Sequence, residues 1–157
     1  MGHLVTLFEA LETVAAGGET SLAGVLNELA GRMSRRGLVI LISDAFDHAG
    51  PLLESLQFLR HRKQDVRLFQ VIHPDEENFP FEGMMEFLGL ESEPRLKLDG
   101  SRVRVLYQET LAAHQRKLAE GCHALGIPRH LFRTDADLAL NLLRALSDLA
   151  TPPPRRQ

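Results

Sequence analysis

Three short groups of polar residues carry the side chains that could do chemistry: Ser43-Asp44 with Asp47 and His48 close behind, His73 with Asp75-Glu76-Glu77, and Thr134-Asp135. Carboxylates beside an imidazole are the ingredients of general acid–base or metal-assisted hydrolysis, and Asp44, Asp47, His73 and Glu76 are the set such a hydrolase would use. Spacing excludes the better-defined alternatives. A haloacid-dehalogenase-like phosphatase separates its two aspartates by one residue, so that one attacks phosphorus while the other handles the leaving-group proton; Asp44 and Asp47 are separated by two. Neither a P-loop lysine pattern nor a G-x-G-x-x-G cradle is present, and no G-x-S-x-G elbow surrounds Ser43. The seven histidines make no i, i+4 zinc pair. His114 and His130 are the two a metal reading would draw on; His114 lies on an apolar stripe and reads as a hydrogen-bonded core or boundary residue rather than a ligand. Cys122 reads as a small buried hydrophobe.

The elements that must position these residues belong to one ordinary domain. The chain has 157 residues, 44% of them apolar and 25% charged, with eight Phe, a composition that describes a globular chain rather than a disordered or disulfide-stapled one. The expected organisation is a single domain over residues 1–151 and a frayed tail over 152–157. A net charge of -3 without a Lys/Arg block argues against nucleic acid as a partner. The longest wholly apolar run, Leu38 to Ile42, is far below the ~20 residues that span a bilayer. A lone cysteine excludes an internal disulfide and suits a reducing compartment, so a cytoplasmic location is expected.

Helical spacing of Leu4, Leu7, Phe8, Leu11 and Val14 predicts a first helix ending at Gly17-Gly18. Thr20 or Ser21 caps a second, whose stripe is Leu22, Val25, Leu26, Leu29 and Met33. Leu38 to Ile42, apolar at every position, predicts a buried parallel strand covered on both faces. A helix opened by Gly50-Pro51, with Leu52, Leu53, Leu56 and Leu59 inward, and a strand from Val66 to Ile72 complete a β-α-β unit. Met85 to Leu90 and Arg95 to Leu98 fit a small hairpin. Val103, Tyr107, Leu111, His114, Leu118, Cys122 and Leu125 form one stripe of a long helix stopped by Gly126. A strand from Ile127 to Arg133, demoted toward the sheet edge by Pro128, and a helix carrying Leu138, Leu142, Leu143, Leu146 and Leu149 close the chain. Glu54, Arg60, Arg62 and Lys63 read as a solvated helix face. The class is three-layer α/β, Rossmann-like, with about three parallel strands, helices on both faces and a hairpin insertion.

In such sheets functional groups gather beyond the carboxyl ends of the strands, which places Ser43, Asp44, Asp47, His73 and Asp135 on one rim. Asp and Ser after strands also cap the next helix, and that is the competing role for Asp75 and Asp135.

Gly17-Gly-Glu-Thr20-Ser-Leu22 and Arg36-Gly-Leu-Val-Ile-Leu-Ile-Ser-Asp44 resemble a von Willebrand factor type A-like domain. Val71-Ile-His-Pro74, Phe79-Pro-Phe-Glu-Gly83, Leu96-Lys-Leu-Asp99 and Phe132-Arg-Thr-Asp135 extend the likeness over nearly the whole chain. More closely, it resembles the carboxyl-terminal part of the family called domain of unknown function fifty-eight. The resemblance implies a divalent metal on the rim, with Thr20 and Asp44 matching two ligand positions. The Asp-x-Ser-x-Ser loop that supplies the others is absent; the nearest sequence, Asp99-Gly-Ser101, has Val103 in place of the second Ser and opens a helix. Magnesium prefers six near-octahedral oxygens, so at most a weak, incomplete site is expected. The resemblance further implies that the chain starts inside the domain, after its first three strands, and that it acts as an adaptor beside a MoxR-type AAA+ ATPase, without catalysis of its own. With its usual neighbour missing, the Leu38–Ile42 strand becomes a sheet edge, and a homodimer is expected. The small metal-assisted hydrolase remains the alternative.

Overall fold

The computed structural model describes residues 2–14, 21–88 and 95–150. Gly17-Gly18, Thr20 and the tail at 152–157 lie outside the described residues. A three-stranded parallel sheet, β1 (Leu38–Ser43), β2 (Asp65–Ile72) and β3 (Arg129–Arg133), is ordered β1-β2-β3. The register places Ser43 beside Gln70, and Ile72 beside Arg133. β1 therefore stops two residues short of its neighbours, roughly 6–7 Å at strand rise.

One face of the sheet carries three helices. α1 (Gly2–Thr13) precedes them, with every described side chain exposed; α2 (Leu22–Arg32), α3 (Ala49–His61) and α5 (Gly100–Ala124) enclose the main core. Leu52, Leu56, Leu59, Leu68, Leu118 and Val66 are fully buried there, with Leu26, Ala30, Val39 and Cys122. The stripe expected of the long helix is the inward one: Val103 through Leu125 are buried or half-buried at every expected position. The stripe of α2 is narrower than its spacing suggests. Leu22, Leu26, Ala30 and Met33 pack inward, whereas Val25 and Leu29 face outward, because one helix crossing a sheet edge presents only about a third of its circumference.

Among the described residues the opposite face carries only α6 (Leu138–Ala150), which packs Leu142 and Ala145 onto Phe69, Val71 and Phe132. Leu138, Leu143 and Leu146, expected in its buried stripe, are exposed. The reading of β1 as a strand covered on both faces is corrected in the same way. β1 is an edge strand; Val39 is buried against the helical layer, while Leu38, Ile40 and Ile42, alternating onto the α6 face, are 49%, 39% and 67% exposed. α6 covers β2 and β3 and does not reach β1.

The hairpin is β4 (Met84–Phe87) paired antiparallel with β5 (Leu96–Asp99). It sits over the start of α5 through Phe79, Phe81, Phe87 and Tyr107, whose rings meet at 4.5–5.8 Å. Asp99 caps α5 by accepting from the Ser101 N–H at 3.0 Å. Gly100 is required by contact: a Cβ there would lie 2.6 Å from the Phe81 carbonyl oxygen. A short helix, α4 (Pro74–Asn78), follows β2.

Leu56→Ala, in the centre of the α2/α3 core, lowers stability by about 2–5 kcal/mol, whereas Gln57→Ala on the solvent side of the same turn changes it by less than about 0.5 kcal/mol. Urea denaturation of both variants checks the expected asymmetry.

Candidate functional site

All three strands run parallel, so their carboxyl ends form one rim, and Ser43-Asp44, His73 and Asp135 lie along it as expected. The loop leaving β1 is the most constrained part of that rim. Ala45 is fully buried at φ 56°, a left-handed conformation unusual for a residue with a Cβ, costing on the order of 1–2 kcal/mol. Several hydrogen bonds hold it there. The Ser43 hydroxyl accepts from the Ala45 N–H at 3.0 Å, and Asp44 Oδ1 accepts from the Ser43 hydroxyl and the Phe46 N–H, both at 3.3 Å. Gln70 Nε2 donates to the Asp44 carbonyl at 2.8 Å, and His114 Nε2 lies 2.7 Å from the Ala45 carbonyl. A carbonyl can only accept, so His114 carries its proton on Nε2. His114 is thus the hydrogen-bonded boundary histidine its stripe suggested, and its partner is the site loop.

Gln70, fully buried, is the residue that reading the sequence missed. Besides holding Asp44 it accepts from Arg129 Nε at 2.7 Å, and Arg129 in turn donates to Gln115 Oε1 on α5. Its signal was available: an amide inside the Val66–Ile72 strand, whose other residues are apolar apart from Arg67, must find partners wherever it is buried. Burial also pushes the Cys122 thiol up, opposed by the nearby Arg129 charge, which leaves it an inert, protonated hydrophobe at neutral pH.

The other expected site residues are taken up by local structure. Asp47 Oδ2 accepts from the Leu22 N–H at 3.1 Å, closing the start of α2 together with Ser21, whose hydroxyl accepts from Gly24 N–H at 3.2 Å. Of the two capping candidates, Ser21 performs the role. His73 and Glu76 form a reciprocal cap on α4: His73 Nδ1 accepts from the Asp75 N–H at 3.1 Å and Glu76 Oε2 accepts from the His73 N–H at 2.7 Å. Asp135 caps nothing. It takes two 3.1 Å bonds from Arg133, whose third bond runs 2.7 Å to Glu77, and Asp137 instead caps α6 through the Leu140 N–H at 2.9 Å. Arg60, expected on a solvated face, is half-buried and donates to the Gln64 carbonyl at 3.2 Å. Among the described residues, no three His, Cys, Asp or Glu side chains converge on a point where one ion could be held.

Two open hollows flank the rim. One, of about 330 Å³, lies between β1 and α6 and is lined mostly by Ile42, Phe69, Val71, Phe132 and Leu142. The other, of about 290 Å³, lies between Phe46 of the β1 loop and Tyr107, Leu111 and His114 of α5. Burial, and then the negative charge of Glu76, raise the Tyr107 phenol above its ordinary value, so it serves as a hydroxyl and not as a base.

This arrangement defines a three-layer α/β domain of Rossmann-like topology with a polar strand-end rim between apolar hollows. The chain belongs to the family described as "Protein of unknown function DUF58", whose pattern matches residues 2–117. Among solved structures it is similar to the "conserved hypothetical protein BatB from Bacteroides thetaiotaomicron", with a TM-score of 0.54 and 13% identity, over 94% of this chain and 70% of that one. That likeness is one of fold. No curated protein matches. No helix among the described residues is long and apolar enough to cross a membrane.

Two outcomes are expected at the rim. Gln70→Leu strands the Asp44 carbonyl and Arg129 Nε, and lowers stability by about 1–3 kcal/mol in urea denaturation. The hydrogen bonds from Arg133, outweighing a slight desolvation, hold the Asp135 carboxyl below the usual carboxylate range. Its contribution is therefore present above the unfolded value and is lost as pH falls through the lower folded value. Arg133→Gln returns the Asp135 titration toward about 3.9, read by NMR of its side-chain carbonyl.

Proposed function

We propose that this domain is a non-enzymatic interaction module of the von Willebrand factor A-like class, which presents the loop after β1 to a protein partner. The observation that carries this reading is the division of labour on the rim. Asp47, His73 and Glu76, three of the four groups a hydrolase would need, are spent on helix capping. Asp44 remains exposed on a strained loop held by Gln70 and His114. Active sites draw titratable groups together in an enclosed pocket; here the groups are dispersed between shallow apolar hollows. A fixed carboxylate flanked by Phe46 on one side and Ile42 on the other suits docking, where a rigid polar contact sets register and apolar contacts supply affinity.

The partner that fits the resemblance is a MoxR-type AAA+ ATPase, acting from the cytoplasm. Divalent metal is a minor contributor. Asp44 already accepts two hydrogen bonds on Oδ1, and magnesium held by that carboxylate, Thr20 and water would lack most of the protein oxygens it needs.

Purified MoxR-type ATPase is expected to bind the domain in calorimetric titration, and Asp44→Asn to weaken that binding at least about tenfold, or 1.4 kcal/mol, with an unchanged melting temperature. Magnesium and manganese alone are expected to bind no tighter than about 10 μM. Tighter metal binding abolished by Asp44→Ala, or hydrolytic activity lost in Asp44→Asn, would transfer the rim to the hydrolase reading.

A further inference from the structure

Folding brings together two short basic runs that the sequence keeps apart. Arg35-Arg36 precede β1 and Arg60-His61-Arg62-Lys63 close α3, so both stand at the amino end of the sheet, the pole opposite the rim. The two segments are bonded to each other: the Arg62 guanidinium donates to the Met33 carbonyl at 3.3 Å, and the Asp65 N–H to the Gly37 carbonyl at 2.9 Å. Part of this charge serves the fold. Arg32 pairs with Glu28, Arg60 donates to the Gln64 carbonyl at 3.2 Å, and both complement the carboxyl end of a helix. Arg35, Arg36 and Lys63 do neither. They lie beyond the last turns of α2 and α3, where the helix-end effect has faded, and their exposed side chains form no ion pair or hydrogen bond among the described residues.

We propose that this pole seats the domain on an anionic lipid surface, with Arg35, Arg36, Arg62 and Lys63 against the headgroup phosphates and the strands standing away from the bilayer. Of the acids at this end, Glu28 and Asp65 are engaged by Arg32 and Arg67, while Glu120 near the end of α5 and Asp148 beside His130 lie toward β3, on the other side of the pole. The rim has the reverse sign, with Asp44, Asp75, Glu77 and Asp135 around Arg133. Range decides how a chain of net charge -3 can do this. The Debye length in physiological salt is about 8 Å, whereas the eight residues of β2 hold the rim roughly 25 Å from the pole. A surface in contact with the pole therefore meets the cations and not the distant carboxylates, and what field the rim retains turns it away from the lipid.

A bilayer fits this pole better than a nucleic acid does. It is built from loops and from the carboxyl ends of α2, α3 and α5, whereas helix amino termini and rows of stacked rings are what commonly follow a phosphate backbone. An exposed ring, Phe58, lies 6.0 Å beneath the Arg62 guanidinium, a pairing of cation and apolar surface that a headgroup layer accommodates. Each Lys or Arg brought to such a surface raises partitioning about fivefold, so four act together where one would do little.

Co-sedimentation of the full chain with phosphatidylcholine vesicles containing about one-third phosphatidylglycerol is expected to show binding that is absent on phosphatidylcholine alone and falls as salt is added. Arg36→Glu with Lys63→Glu is expected to lower that binding at least about tenfold with an unchanged melting temperature. Arg116→Glu with Lys117→Glu, exposed residues two turns up α5, changes the net charge equally and is expected to lower it less than about twofold, because screening confines the attraction to the pole. A wild type that does not sediment with the anionic vesicles, or an equal loss in the two double variants, overturns the proposal. So does a duplex DNA oligonucleotide that binds more tightly than the vesicles at the same salt and is released by Arg36→Glu with Lys63→Glu, which would give the pole to nucleic acid. These readouts involve neither an ATPase nor Asp44, so the rim reading stands or falls separately.

Discussion

Two buried glutamines fasten the edge strand at both ends, and the placement of the rim follows from them. At the amino end of β1, Gln64 Oε1 accepts from the Gly37 N–H at 2.7 Å while its Nε2 donates to the Arg35 carbonyl at 3.0 Å. At the carboxyl end, Gln70 Nε2 holds the Asp44 carbonyl. Both side chains are almost wholly buried, where an unpaired amide would cost about 1–3 kcal/mol, so each is strongly tied to one arrangement. An edge strand paired on one side only has half the ladder of a central one. These amides replace part of the missing restraint without closing the outer edge.

The loop after β1 gains its rigidity from distant elements. Gln70 belongs to β2, Arg129 to β3, and His114 and Gln115 to α5. The left-handed Ala45 persists because these contacts over-determine it, and strain of that kind collects where a backbone must present a side chain in one direction. Phe46 and Asp44 are the side chains so presented. The remaining acidic residues of the rim answer to local backbone demands, since a helix start leaves N–H groups that a nearby carboxylate or imidazole satisfies more readily than solvent does.

The sheet is asymmetric in its coverage. Three helices and a fully buried leucine cluster lie on one side; a single helix and the small Phe69–Phe132–Ala145 cluster lie on the other. The Phe69 and Phe132 rings, 5.0 Å apart, and His130, edge-on to Phe69 at 5.5 Å, concentrate that second core over β2 and β3. Apolar area left over β1, on α1 and along Leu138, Leu143 and Leu146 of α6 is more than a monomeric surface ordinarily shows.

Periodicity alone was enough for the order and type of nearly all elements, because burial on one face imposes a period of 3.6 on helices and because a wholly apolar run of five residues is too short for a helix and fits a strand. The common rim was legible too, since parallel strands must bring their carboxyl ends to one side. What periodicity could not separate was apolar from buried: Val25, Leu29, Ile40 and Leu146 have the spacing of core residues, and only the position of α6 and the edge placement of β1 decide that they face outward. Nor could side-chain type separate an exposed carboxylate from a spent one. Asp44, Asp47, Asp135 and Asp137 all follow strands or precede helices; which of them accepts from a helix N–H, which pairs with Arg133 and which stays exposed within its own loop is settled by groups that folding places nearby, up to 25 residues away in sequence, as Leu22 is from Asp47. The sequence by itself determined the α/β class and the candidate rim, through local propensity and burial pattern. The tertiary structure decided the one-sided coverage of β1, the glutamine clamps and the roles of the carboxylates, because those depend on packing and hydrogen bonds between groups that only folding brings together.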